Sequence, residues 1–185
     1  MTIITRRGVI AGAGAAAALS ACGNGIGSDG ASMIDARVDA TRNYLFTRYP
    51  GTQDLAAKAL GVLYMPLITK AGLGVGGSYG RGALLIDDVT VDYYSATQAT
   101  IGFQIGAQQY AHALFFMTAE ALAEFRSGPG WSAGADMEYA LKDRGGNVSA
   151  ETLTALDPVI AVVFGQAGLI VGATLEGTKY TRIIP

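Results

Sequence analysis

Between residues 33 and 48 the apolar positions recur at helical spacing. Ile34, Val38 and Leu45, with Thr41 between them, fall at i, i+4, i+11 and i+7 and form one stripe. Arg37, Thr41, Tyr44 and Arg48 make a neighbouring stripe, and Pro50-Gly51 closes the helix. A second helix is predicted from Thr52, as N-cap, to Leu60, with Asp54 favourably placed in its first turn. The period then changes. Gly61 to Met65 reads as a short strand ended by Pro66. Ala71 to Tyr79 and Gly82 to Ile86 read as two more, joined near Gly80-Arg81. Val91–Tyr94, Ile101–Ala107 and Tyr110–Met117 follow. Thr118 is placed to cap a short helix through Phe125, stopped by Ser127-Gly128-Pro129-Gly130. The pattern over 131–141 fits neither period. Lys142–Asn147 reads as a turn, and Ser149 as the cap of a helical turn through Leu156. Strands are predicted at Val159–Phe164, Leu169–Leu175 and Lys179–Ile184.

The expected fold is therefore α+β: N-terminal helices and one short central helix on a mostly antiparallel sheet. That sheet carries many glycines. Glycine weakens a strand unless it serves a bend, a bulge or close backbone approach. Gly74 and Gly76, with Gly77 and Gly80 nearby, and Gly168 and Gly172, four apart on one face of a strand, point to strong curvature, of which a barrel-like form is one outcome.

Composition changes the picture mainly at the N-terminus. Arg6 and Arg7 precede a 14-residue run, Gly8 to Ala21, with no charge. The run is shorter than the about 20 apolar residues that span a bilayer core and suits a signal-peptide apolar region. It ends in Leu19-Ser20-Ala21-Cys22, which looks like a lipobox. On this reading residues 1–21 are removed and the Cys22 thiol takes a diacylglyceryl group. Residues 22–32 are then a small, polar tether and 33–185 the folded domain. Thr5-Arg6-Arg7-Gly8-Val9-Ile10 resembles a twin-arginine export motif; an ordinary secretory n-region stays open beside it. Gly23 in place of an aspartate points to the outer membrane, facing the periplasm. Without Arg6 and Arg7 the formal charge falls from −2 to −4. That balance argues against nucleic acid, whose binding proteins usually carry a basic face. Cys22 is the one cysteine, so no internal disulfide is possible.

Four segments, in order, carry a family likeness: Lys58 to Pro66; Lys70 to Gly82, with Gly74-Val75-Gly76-Gly77-Ser78-Tyr79-Gly80-Arg81 at its centre; Gly102 to Gln108; and Gly168 to Gly177. Together they resemble the SYLF-domain family of lipid-binding proteins over about residues 33–180. The resemblance implies a membrane-lipid-binding module. Eukaryotic members bind phosphoinositides with help from an amphipathic N-terminal helix, and some bind actin filaments; bacterial members are exported envelope proteins. The chain departs from the pattern at Asp92-Tyr93-Tyr94-Ser95, where the family often carries tryptophan, and in stopping soon after Lys179.

Other chemistry finds little support. Gly72-x-Gly74-x-x-Gly77 fits the dinucleotide fingerprint in letters, but that motif needs a helix N-terminus after it to hold the pyrophosphate. Here Gly82-Ala83-Leu84-Leu85-Ile86 continues as strand. His112, the one histidine, shares a strand face with Tyr110, Leu114 and Phe116 and reads as structural rather than as a catalytic base. Asp87, Asp88 and Asp92 lack the spacing of an EF-hand loop and read as a solvated acidic turn. Glu120 and Glu124 read as a wet helix face. No catalytic residue, metal or cofactor is expected.

The N-terminal helix is the better candidate. Arg37, Arg42, Arg48, Lys58 and Lys70 face three acidic residues over 33–70. A basic rim beside an apolar stripe can lie in a membrane interface, with Tyr44 or Phe46 at the acyl boundary; packing of Ile34, Val38 and Leu45 on the sheet is the other use of the same stripe. The expected protein is a non-enzymatic envelope lipoprotein that binds membrane lipids, anionic phospholipids first, through those five residues. The alternative is an envelope protein-interaction module without head-group binding.

Overall fold

The computed structural model describes residues 28–134, 138–139, 157–165, 168–169 and 175–185, with the backbone alone described at 73–74, 100–107, 138–139 and 168–169. The signal, Cys22, most of the tether, the 142–156 segment and Gly172 lie outside the described residues. Helix α1 spans Gly30–Arg48 and α2 Gly51–Lys58. Strands β1 (Gly61–Ile86) and β2 (Val89–Phe116) form one long antiparallel hairpin. Helix α3 (Ala119–Ser127) follows, then β3 (Trp131–Ser132), β4 (Glu138–Tyr139), β5 (Val159–Gly165), β6 (Gly168–Leu169) and β7 (Lys179–Ile183). Strand β2 is central: its end pairs β5, its start pairs β7, and β1 runs along it. All pairings are antiparallel except the short β4–β5 ladder. Among the described residues the result is α+β with three helices and a seven-stranded, strongly curved half-barrel sheet.

The helices form where the apolar stripe requires. Ile34, Val38 and Leu45 are all buried, with Thr41 half-buried. The helix begins three residues before Met33, at Gly30. Thr52 is not the N-cap of α2. It sits inside the first turn, fully buried, and its hydroxyl bonds the carbonyl of Tyr49 at 2.7 Å and lies 3.3 Å from that of Leu45. It thus adds a second donor to carbonyls at the end of α1 that already accept the Tyr49 amide (at Leu45) and the Thr52 amide (at Tyr49). Thr118 does cap α3: its hydroxyl accepts from the Ala121 amide at 3.2 Å.

The predicted short strands merge. Pro66 does not end β1; it falls in a bulge between Met65 and Ile68, where the ladder skips a bond that proline could not donate. Nor is Gly80-Arg81 a turn. The turn is Asp87-Asp88, a two-residue loop with φ of 49° and 62°, as a type I′ hairpin requires. Gly80 and Gly82 instead mark where β1 crosses itself. A Cβ on Gly82 would collide with the Tyr64 carbonyl oxygen, and one on Gly80 with that of Leu67. The two halves of β1 therefore pack backbone to backbone, and the hairpin is bent double.

Bending gives the strands two buried faces, so they read as continuous apolar runs. Val62, Tyr64, Ala113, Phe115, Ile160 and Val162 pack under α1 and α2. Their neighbours Leu63, Met65, Leu114, Phe116, Ala161 and Val163 fill the concave side. Phe125 of α3 plugs that side, within 4.6–5.5 Å of the rings of Tyr94, Phe116 and Trp131.

Candidate functional site

The flank of α1 away from the hairpin turn carries Met33, Arg37, Tyr44 and Arg48, at i, i+4, i+11 and i+15. At 3.6 residues per turn these lie on one stripe. Arg37 and Arg48 are exposed, Met33 is 51% exposed and Tyr44 40%. Beside this flank the bulge pushes out Leu67 (39% exposed), and the crossing of β1 brings up Tyr79 (52%). Two hollows meet at Leu67. One is an apolar groove of about 270 Å³ lined by Ala40, Tyr44, Pro66, Leu67, Tyr110 and Phe164; Tyr44 stacks on Phe164 at 6.0 Å. The other, about 170 Å³, is lined by Arg37, Leu67, Thr69, Tyr79 and Arg81. Together they form a ledge of exposed aromatic and aliphatic side chains edged by arginine.

The opposite flank of α1 is bound to the sheet. Asp35 accepts from the Tyr93 hydroxyl at 2.8 Å and the Thr90 hydroxyl at 3.1 Å. Burial, and then this carboxylate, push the Tyr93 phenol up to about 12. Arg42 donates to Asp88 at 2.9 Å and has Asp39 at 3.9 Å. The five basic residues are thus divided. Arg37 and Arg48 lie on the ledge stripe. Arg42 lies on the other flank among carboxylates. Lys58 ends α2. Strand alternation points Lys70 away from Thr69 and Leu67. Arg81, Leu67 and Tyr79 join the ledge without having been foreseen. Only the crossing of β1 brings positions 67 and 79–81 together, and no local periodicity announces that.

The other candidates take structural places. His112 is fully buried among Met65, Leu114 and Val163; its Nε2 lies 2.8 Å from the Tyr180 hydroxyl and its Nδ1 has no partner. Burial alone pushes its pKa down to about 3, so the ring is neutral. The aspartates are not simply a solvated turn. Asp92, its side chain 15% exposed, pairs Arg126 at 3.2 Å and Arg182 at 3.3 Å, joining β2 to α3 and β7, and Asp88 holds Arg42. Glu120 and Glu124 are exposed on α3. Of the glycines, Gly80 lies at the crossing. Gly76 lies at the bend, where a Cβ would come within 2.5 Å of the Ala71 oxygen. Gly74 and Gly77 lie on β1 and Gly168 starts β6. Among the described residues no group of three His, Cys, Asp or Glu side chains could hold a metal, and no helix is long and apolar enough to cross a membrane.

Residues 97–182 match the family profile Ysc84, described as "Las17-binding protein actin regulator". Over this stretch the chain is similar to the SYLF-domain family, in line with the likeness read from its sequence. No curated protein matches it. The SYLF match runs from the middle of β2 through β7. It includes Tyr110 and Phe164 of the groove but not α1, α2 or β1, which supply the rest of the ledge. It is therefore shorter at its N-terminal end than the likeness from residue 33.

Proposed function

We propose that the chain is a non-enzymatic, lipid-anchored envelope protein whose SYLF domain rests on membrane lipid. Acyl chains on Cys22 hold it, most naturally at the outer membrane facing the periplasm, and the ledge supplies the contact. The observation that carries this reading is the grouping of Met33, Tyr44, Leu67 and Tyr79, all 39% or more exposed, with Arg37, Arg48 and Arg81 around them. Aromatic and aliphatic side chains that enter the acyl boundary, beside guanidinium groups that meet phosphates, are what an interfacial contact needs. Another cavity, about 320 Å³ beneath α1 and α2, has Asp87 and Asp88 on its rim and would repel an anionic head group.

Sedimentation of the acyl-free protein with vesicles of anionic phospholipid tests the reading. Binding at low salt that weakens as salt rises supports it; protein that stays in the supernatant at low salt overturns it. The family description gives a second reading, a module that holds other proteins. A stoichiometric envelope protein recovered beside inert vesicles would favour that reading.

A further inference from the structure

The two hollows of the ledge differ in chemistry and share a wall. The groove is walled by Tyr44, Leu67 and Phe164, with Ala40 at its open side. The smaller hollow carries the positive charges of Arg37 and Arg81. Leu67 lines both, so the two hollows adjoin at that residue. Arg37 and Tyr44 are seven residues apart on α1, about 10 Å along the helix axis. A flat membrane contact needs no groove at all, and a soluble anion needs no apolar extension beside the arginines. An apolar channel opening beside a cationic hollow at that spacing is complementary to one molecule with a charged head and a single tail.

We propose that the ledge is a binding site for a single-chain acidic amphiphile, its head group at Arg37 and Arg81 and its alkyl chain in the groove walled by Tyr44, Leu67 and Phe164. The site rests on the reading of the ledge as lipid-facing and goes further. It takes one lipid molecule out of the aqueous phase or the bilayer rather than only touching a surface. The groove's volume of about 270 Å³ sets the tail length. Liquid water occupies about 30 Å³ per molecule and a methylene is of similar size, so the groove admits on the order of nine carbons.

The test is equilibrium dialysis of the purified protein against octyl, decyl and dodecyl phosphate, each below its micelle concentration. The site predicts saturable binding of one molecule per chain. Affinity should rise about four-fold per methylene from burial of the tail and level off once the groove is full. Ala40→Phe, which places a ring in the groove from an exposed helix position, should weaken decyl phosphate at least ten-fold, with the far-ultraviolet circular dichroism unchanged. Leu67→Gln provides a second lesion if that variant folds poorly. Arg37→Gln should weaken decyl phosphate and leave decyl maltoside, with its neutral head, where it was. Absence of saturable binding, indifference to both groove variants, or decyltrimethylammonium bound as tightly as decyl phosphate would overturn the site. Vesicles that sediment with the protein while monomeric dodecyl phosphate stays free would sink this site and leave the broader membrane reading standing. Inert vesicles beside saturable decyl phosphate would do the opposite.

Discussion

His112 sits where water cannot reach it, between Met65 and Val163 on neighbouring strands, with one ring nitrogen bonded to Tyr180 and the other bonded to nothing. Its native pKa of about 3 lies below the 6.5 of a solvated histidine. Between those values the unfolded chain holds a proton that the native chain does not. Stability therefore rises with pH across that window, and acidification from pH 6.5 toward 3 removes it at about 1.4 kcal/mol per pH unit. Urea midpoints should fall between pH 7 and 4.5, and His112→Gln should flatten that fall relative to the parent; parallel curves would contradict the assignment. Gly82 offers a test that does not titrate. A single methyl there meets the Tyr64 carbonyl and the Met65 side chain at once, and neither side of a backbone crossing can withdraw. Gly82→Ala should cost about 3 kcal/mol, the upper range for overpacking, whereas Gly77→Ala, whose nearest obstacle is the Gln98 oxygen at 3.3 Å, should cost much less. Chemical denaturation of the two variants checks the contrast.

At the scale of elements, α1 is held to the hairpin by short polar bonds as well as by its apolar stripe. Asp35 takes two hydroxyls of β2 at once, from a partly buried position. Asp35→Ala should cost about 1–3 kcal/mol and lower the hydrogen-exchange protection of α1 before that of β2. Asp39→Ala, its carboxylate 63% exposed and 3.9 Å from Arg42, should cost almost nothing. The elements also show where local sequence suffices. Ile34, Val38 and Leu45 predict α1, and Thr118 predicts the start of α3, because a helix and its cap are written in residues three and four apart. The long hairpin is not local. Pro66 looks like a strand end, since only the partner strand determines whether a missing N–H leaves a gap or fits a bulge. Gly80 looks like a turn, since glycine serves a turn and a close crossing equally well. Thr52 has the composition of an N-cap, yet the helix starts one residue earlier and its hydroxyl donates to carbonyls at the end of α1 instead of accepting an amide. The Tyr44–Arg48 part of the ledge is legible as a helical stripe; Leu67, Tyr79 and Arg81 become neighbours only when β1 folds across itself.

For the whole molecule, that fold separates basic residues that look equivalent along the chain. Arg42 spends its charge on Asp88 and Asp39, beside the turn and away from the ledge. Arg37 and Arg48 stand exposed on the stripe that carries Tyr44 and Met33. If the ledge is the face that meets anionic lipid, the two classes must behave differently. A basic side chain near an anionic surface contributes about 1 kcal/mol, which is about a five-fold change in partitioning. Arg37→Ala and Arg48→Ala should each weaken vesicle binding by about that factor, multiply when combined, and leave the urea midpoint nearly unchanged. Arg42→Ala should do the reverse, lowering the midpoint through the lost Asp88 bond while binding stays within two-fold of the parent (about 0.4 kcal/mol, inside the scatter of surface charge changes). Net charge cannot account for such a difference, because all three substitutions remove one positive charge from a chain that is already acidic. Equal losses from the three variants would mean that attraction is diffuse and that the ledge has no special part in it. A loss confined to Arg37 and Arg48 would instead fix the orientation of the domain, with α1 lying along the membrane and the Asp87–Asp88 turn directed away from the ledge face.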